Sequence, residues 1–153
     1  MRKKAVLTMA AMLAMAAGLF MGCEASVDQN PKDKRAEYEN CTAEISSAAL
    51  IPNYEGSQAI RIAFSFQNNG ADAQYLLESF DIRAYQDDTE LEYVSLNDQS
   101  EQAQNTIKAV KDGGQVECVM VFSMIQEGPV EVKICTPTAD QKQLAQVVFS
   151  QNG

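Results

Sequence analysis

Ile60-Arg61-Ile62-Ala63-Phe64-Ser65-Phe66-Gln67 alternates without a break. Ile60, Ile62, Phe64 and Phe66 fall on one side, and Arg61, Ala63, Ser65 and Gln67 on the other. Successive side chains of a strand point to opposite faces. A period of two made from β-branched and aromatic residues therefore reads as a half-buried strand, not a helix. Asn68-Asn69-Gly70 closes the stretch with strong turn chemistry. The same period continues outward in both directions. Upstream, Cys41, Ala43 and Ile45 alternate with Asn40, Thr42 and Glu44, and Pro52-Asn53-Tyr54-Glu55-Gly56 makes the turn between. Downstream, Phe80, Ile82 and Ala84 alternate with Asp81, Arg83 and Tyr85. Gln86-Asp87-Asp88-Thr89 turns the chain, and Leu91 and Tyr93 predict a short fourth strand.

The segment from Val94 to Asn105 is polar and irregular. After a turn at Asp112-Gly113-Gly114, Val116, Cys118, Met120, Phe122 and Met124 predict a long strand whose other face also carries Val119 and Val121. Apolar residues on both faces predict a strand central in its sheet. Gln126-Glu127-Gly128-Pro129 is a turn; Val130, Val132 and Ile134 predict a sixth strand, and Ala145, Val147 and Phe149 a seventh. No helical period follows residue 22, although Leu76-Leu77 fits a single helical turn. About seven short strands need two stacked sheets to bury their apolar faces, so residues 38–153 predict an all-β antiparallel sandwich.

The order of these motifs resembles the immunoglobulin-like domain of unknown function found behind signal-plus-tether segments in bacterial lipoproteins. The likeness covers about Asn40 to Phe149 and rests on Ile62, Phe64, Phe66, Asn68, Asn69, Gln86, Gly113 and Phe122. That family usually has Pro-Gly where this chain has Gly113-Gly114. The resemblance implies an immunoglobulin-like fold and a surface setting, and it carries no catalytic residue.

The N-terminus agrees with that setting. Arg2, Lys3 and Lys4 form a basic head, and Ala5 to Gly22 is uncharged and apolar. This is the pattern of a secretory signal. Gly22-Cys23 resembles the lipobox of bacterial lipoproteins, in which the cysteine thiol is acylated and the chain is cut just before it. Phe20 and Met21 depart from the Leu and small residue preferred there. Two other readings remain open: an uncleaved apolar anchor, and cleavage at Cys23-Glu24-Ala25 as a small-x-small site. The expected organisation is a signal peptide at 1–22, a lipidated flexible tether at 23–37 and the sandwich at 38–153. The tether is assigned from its mixed charge, its Pro31 and its scarcity of apolar residues.

Composition excludes several functions. The chain has no histidine, which removes Ser-His-Asp and Cys-His chemistry and His-ligated zinc. Only Met120 and Met124 lie outside the signal, so a Met-based copper site has no support. No calcium, Walker or dinucleotide motif is present, and no cofactor is expected. Without Arg2, Lys3 and Lys4 the net charge falls from −9 to −12, which disfavours nucleic acid and favours a cationic partner. Cys41 and Cys118 face the core by phase, as two small buried residues or as a disulfide pair, while Cys135 faces out. Between Arg83 and Lys108 lie only acidic charges, among them Asp87, Asp88, Glu90 and Glu92. This interval reads as a charged edge that prevents sheet-to-sheet pairing or, with Tyr85 beside it, as a partner-binding edge. The functional expectation is a membrane-anchored extracytoplasmic binding or accessory module, not an enzyme. The alternatives are a structural spacer of the cell envelope and a hydrolase using Glu90 and Glu92 as paired carboxylates.

Overall fold

The computed structural model describes residues 25–27, 34–52, 57–94 and 99–151. Two antiparallel sheets stack as a sandwich. One has four strands in the order β2 (Arg35–Tyr38), β3 (Cys41–Pro52), β4 (Gln58–Asn68), β7 (Gln115–Ser123). The other has five, in the order β1 (Ala25–Val27), β9 (Gln143–Gln151), β8 (Val130–Cys135), β5 (Asp81–Gln86), β6 (Thr89–Glu90). Two short helices complete the described chain: α1 (Leu76–Ser79), the single turn expected at Leu76-Leu77, and α2 (Glu101–Asn105).

The alternation of β4 does what its period predicts. Ile60, Ile62, Phe64 and Phe66 are all buried and form the inner face. Register carries that face across the sheet. Phe64 lies opposite Ile45 and Cys118, and Ile62 opposite Ala48 and Met120. The facing sheet supplies Ile82 and Ala84 from β5, Val130, Val132 and Ile134 from β8, and Ala145, Val147 and Phe149 from β9. Phe80, just before β5, meets Phe66 edge-on, with ring centroids 6.4 Å apart and planes at 90°. β3 runs seven residues past Ile45 because a bulge between Ile45 and Ser47 resets its phase and turns Ala48 back into the core. The Ser46 hydroxyl donates to the carbonyl of Ala63 at 3.0 Å beside that bulge.

Four expectations are corrected. The segment assigned as a tether contains β1 and β2, and Ala36 of β2 is fully buried. Both are edge strands: β1 is three residues long, too short to show a period, and β2 carries the charges common at an edge. The long strand expected to be central is β7, the edge of its sheet. The α2 segment packs along that edge: the Thr106 hydroxyl donates to the carbonyl of Val119 at 2.7 Å and accepts from its N–H at 3.2 Å, taking the place of a neighbouring strand. No strand forms at Leu91 and Tyr93: β6 ends at Glu90, and Tyr93 makes only an isolated bridge with Phe122 of β7. The Leu91 N–H donates to the Ala84 carbonyl, and the chain then crosses to the other sheet, where Glu92 and Val94 bond Ser123 and Val121 of β7.

The Cys41–Cys118 pair is the fourth. Cys41 stands opposite Asn68 and Cys118 opposite Phe64, on strands flanking β4. The two are thus ~13 Å apart along the strand direction and ~10 Å across it, whereas a disulfide needs Cα atoms within about 7 Å. Cys41, Cys118 and Cys135 are free thiols, the first two buried. Burial pushes the Cys118 thiol up to about 11. The signal segment, Cys23 and the turn at 53–56 lie outside the described residues.

The buried rows of β4 and β7 give a direct check. Phe64→Ala and Phe122→Ala should each lower stability by about 3–5 kcal/mol. Ser65→Ala, whose hydroxyl only accepts an exposed bond from Gln115, should stay within about 0.5 kcal/mol. Denaturant midpoints read both.

Candidate functional site: a groove on the outer face of the five-stranded sheet

The site begins at the β5–β6 hairpin. Tyr85 pairs with Glu90 and Gln86 with Thr89, leaving Asp87-Asp88 as a two-residue turn. Both aspartates have positive φ, 45° and 64°. Two positive values belong to the turn type whose twist matches a hairpin. Aspartate is among the few non-glycine residues that adopt this region readily. Both aspartates are exposed at the end of the sheet, and Gln126 donates its side-chain amide to Asp87.

Gln86 fixes the neighbouring turn from inside. It is 1% exposed, and its alternation places it in the core beside Ile82 and Ala84. Its side-chain oxygen accepts from the N–H of Ile125 at 3.0 Å and of Gln126 at 3.4 Å. Its amide donates to the carbonyls of Gln126 at 2.9 Å and Gly128 at 3.5 Å. All four bonds go to the turn between β7 and β8. Gly128 there sits at φ +135°, a conformation L-residues avoid.

These two turns frame an open cavity of about 470 Å³ lined by Tyr85, Asp87, Asp88, Pro129, Glu131, Lys133 and Val148. Its floor is the outward row of the sheet, where Tyr85 lies opposite Glu131 and Arg83 opposite Lys133. Each cation of this row is already engaged. Lys133 is 2.9 Å from Glu131 and its ammonium lies 5.3 Å from the centre of the Tyr85 ring. The hydrogen bond that the Lys133 ammonium donates to Glu131 raises its pKa above the ordinary value. Arg83 is 3.1 Å from Asp81 and 3.5 Å from Glu90, and its pKa is likewise raised, chiefly by Asp81. Among the described residues no ion pair reaches Asp87 or Asp88. The groove therefore presents a tyrosine ring, an internally neutralised floor and two carboxylates that no cation of the described residues pairs with, one of them bonded to the neutral Gln126 amide.

Of the residues predicted as a binding edge, the structure brings Tyr85, Asp87 and Asp88 together and separates the other two. Glu90 turns to Arg83, and Glu92 leaves along β7. Glu90 and Glu92 therefore do not share a strand face, which corrects the paired-carboxylate arrangement. Sequence reading missed Glu131, Lys133, Pro129 and Val148. Their outward phase was readable, but nothing local in the sequence sets β8 beside β5. Among the described residues no group of three or more Cys, Asp or Glu is placed to hold a metal ion. A smaller cavity of about 90 Å³ lies at the other end of the sandwich, between the β2–β3 turn and α1. It is bordered by Ser79, whose buried hydroxyl has no hydrogen-bond partner.

The chain belongs to the DUF5067 family, a domain of unknown function, which matches residues 24–135. Comparison with curated proteins gives no match. Among solved structures, the chain is similar to a candidate lipoprotein of Staphylococcus aureus at 14% identity and a TM-score of 0.62, covering 82% of this chain and 93% of that one. A protein of Enterococcus faecalis aligns at 14% identity and a TM-score of 0.58, covering 84% and 94%. A candidate lipoprotein of Bacillus subtilis aligns at 17% identity and a TM-score of 0.55, covering 79% of this chain but 39% of that one. At these identities the likeness shows the fold alone.

Gln86→Leu keeps the volume of the side chain but leaves buried N–H and carbonyl groups of the β7–β8 turn unpaired. It should cost about 1–3 kcal/mol. Hydrogen exchange at Ile125 and Gln126 should quicken in the same variant.

Proposed function

We propose that this protein is a membrane-anchored, extracytoplasmic and non-enzymatic binding module of the bacterial cell surface, built on an immunoglobulin-like sandwich. Its groove at Tyr85, Asp87 and Asp88 receives a basic segment of a partner protein. The observation that carries the binding role is the pair of turn carboxylates without an internal cation, set beside an aromatic face. Tyr joins apolar area to a hydroxyl and serves well as an interface anchor. The strand order supports the immunoglobulin-like reading. β3, β4 and β7 take the places of strands A, B and E, while β6, β5, β8 and β9 take those of C′, C, F and G. Two of the similar structures are candidate lipoproteins. Together with the apolar run ending at Gly22-Cys23, they support attachment to the membrane through Cys23.

Attachment is tested by metabolic labelling with a fatty acid. Wild-type protein should carry the label and Cys23→Ala should not; label retained in the variant would overturn the lipid anchor.

Groove binding is tested by removing charge without disturbing the turn. Lysine at Asp87 or Asp88 would strain two positive-φ positions, whereas asparagine tolerates them. The double variant Asp87→Asn with Asp88→Asn should melt within about 2 °C of wild type. Exposed ion pairs contribute up to about 1 kcal/mol each, so it should bind a lysine-rich peptide about three- to tenfold more weakly. Added salt should weaken wild-type binding and narrow this difference. Equal binding by both proteins would remove the groove from consideration.

A further inference from the structure

The short strand β1 fixes more than an edge of the sheet. Ala25 stands opposite Gln151, Ser26 opposite Ser150 and Val27 opposite Phe149. Phe149 in turn lies opposite Val130, the first residue of β8. β1 therefore enters the sandwich at the end where β9 finishes and β8 begins. The turn from Ile125 to Pro129 lies at that end, and so does the Asp87-Asp88 turn, because Tyr85 pairs with Glu131. The turns around Asn40, Asn69, Asp112 and Asp140 lie at the opposite end, where β3 begins and β4 finishes.

Cys23 precedes Ala25 by two residues, and two residues of extended chain reach at most about 7 Å. We infer that, in the attached protein, the end bearing the Asp87-Asp88 and Ile125–Pro129 turns faces the headgroup layer of the bilayer, while the end bearing Asp112 points away from it. This rests on the membrane-attachment reading. It holds equally for a lipidated Cys23 and for a retained apolar segment, because the apolar run ends at Gly22, three residues before Ala25. A free tether over residues 23–37 would have let the domain tumble. Pairing of β1 with β9 removes that freedom.

The groove then opens beside the bilayer. Val148, one of its lining residues, is next in sequence to Phe149, the partner of Val27. A basic segment that reaches Asp87 and Asp88 is therefore met at the membrane surface. The far end stands one strand length higher: β9 has nine residues, or ~27 Å of rise.

The test uses the full chain, isolated from membranes and reconstituted in phosphatidylcholine vesicles that carry a headgroup-attached quencher. A single fluorophore is placed at Glu127→Cys or at Asp112→Cys in a Cys135→Ser background, with Cys23 blocked by its lipid or, for a retained apolar segment, replaced as Cys23→Ser. Both labelled positions are exposed, whereas Cys41 and Cys118 are buried. Flotation of the vesicles reports attachment in the same samples. Quenching should be several-fold greater at position 127 than at position 112. Equal or reversed quenching in protein that floats with the vesicles would overturn the orientation and leave attachment standing. Protein that fails to float would overturn the attachment reading and the orientation with it.

Discussion

The inner face of β4 must be covered, and the rest of the structure follows from how that is done. Ile60, Ile62, Phe64 and Phe66 sit in one row, all of them at most 1% exposed. Each is worth about 1.5–3 kcal/mol when removed from water. A single sheet would leave that row wet, so a second sheet must lie over it, and its inward row of Ala, Ile, Val and Phe residues is the necessary counterpart. The edge-on contact of Phe66 with Phe80 closes the stack near the end where β4 finishes. Because both inner faces are consumed, any recognition must use what the alternation points outward, or the turns at the two ends.

Gln86 is where the core and the groove become one problem. By phase it belongs to the inward row of β5, yet it is polar. A buried amide costs free energy unless every donor and acceptor is met. It is tolerated because the β7–β8 turn offers two N–H groups and two carbonyls at the right places. The bonding is mutual: the turn needs the side chain as much as the side chain needs the turn. The rim of the groove is therefore held from within by the core and does not depend on contacts at the surface. The two aspartates at positive φ are held the same way, by the pairing of Gln86 with Thr89 directly beneath them.

How much of this was legible depends on whether a feature is local. β4, β5, β8 and β9 follow directly from alternation, since one buried face and one exposed face write period two into the sequence. The second half of β3 was hidden because Ser46-Ser47 breaks the period, and the bulge that absorbs the break has no composition of its own. β7 looked central because Val119 and Val121 are both apolar, but among the described residues its outer edge meets only Thr106 after α2 and the short bridge at residues 92–94, not a full strand. β1 was hidden by its three-residue length and β2 by its charges. For the site, Tyr85 and the Asp87-Asp88 turn were readable from phase and turn chemistry. Glu131, Lys133 and Val148 join them through pairings between residues far apart in the chain, which no local pattern records.

The charges of the outer face obey one rule that explains why the groove has a sign at all. Arg83 and Lys133 lie directly opposite each other across β5 and β8, an arrangement that is unfavourable when like charges stand bare. Each is neutralised by a carboxylate two residues earlier on its own strand, Asp81 for Arg83 and Glu131 for Lys133. Residues two apart share a face of a strand, so this pairing survives however the neighbouring strand shifts. The sheet's cations are thereby spent within the sheet. The turn that follows β5 cannot draw on them, and its excess of carboxylate remains outward at the end of the sandwich where β1 enters.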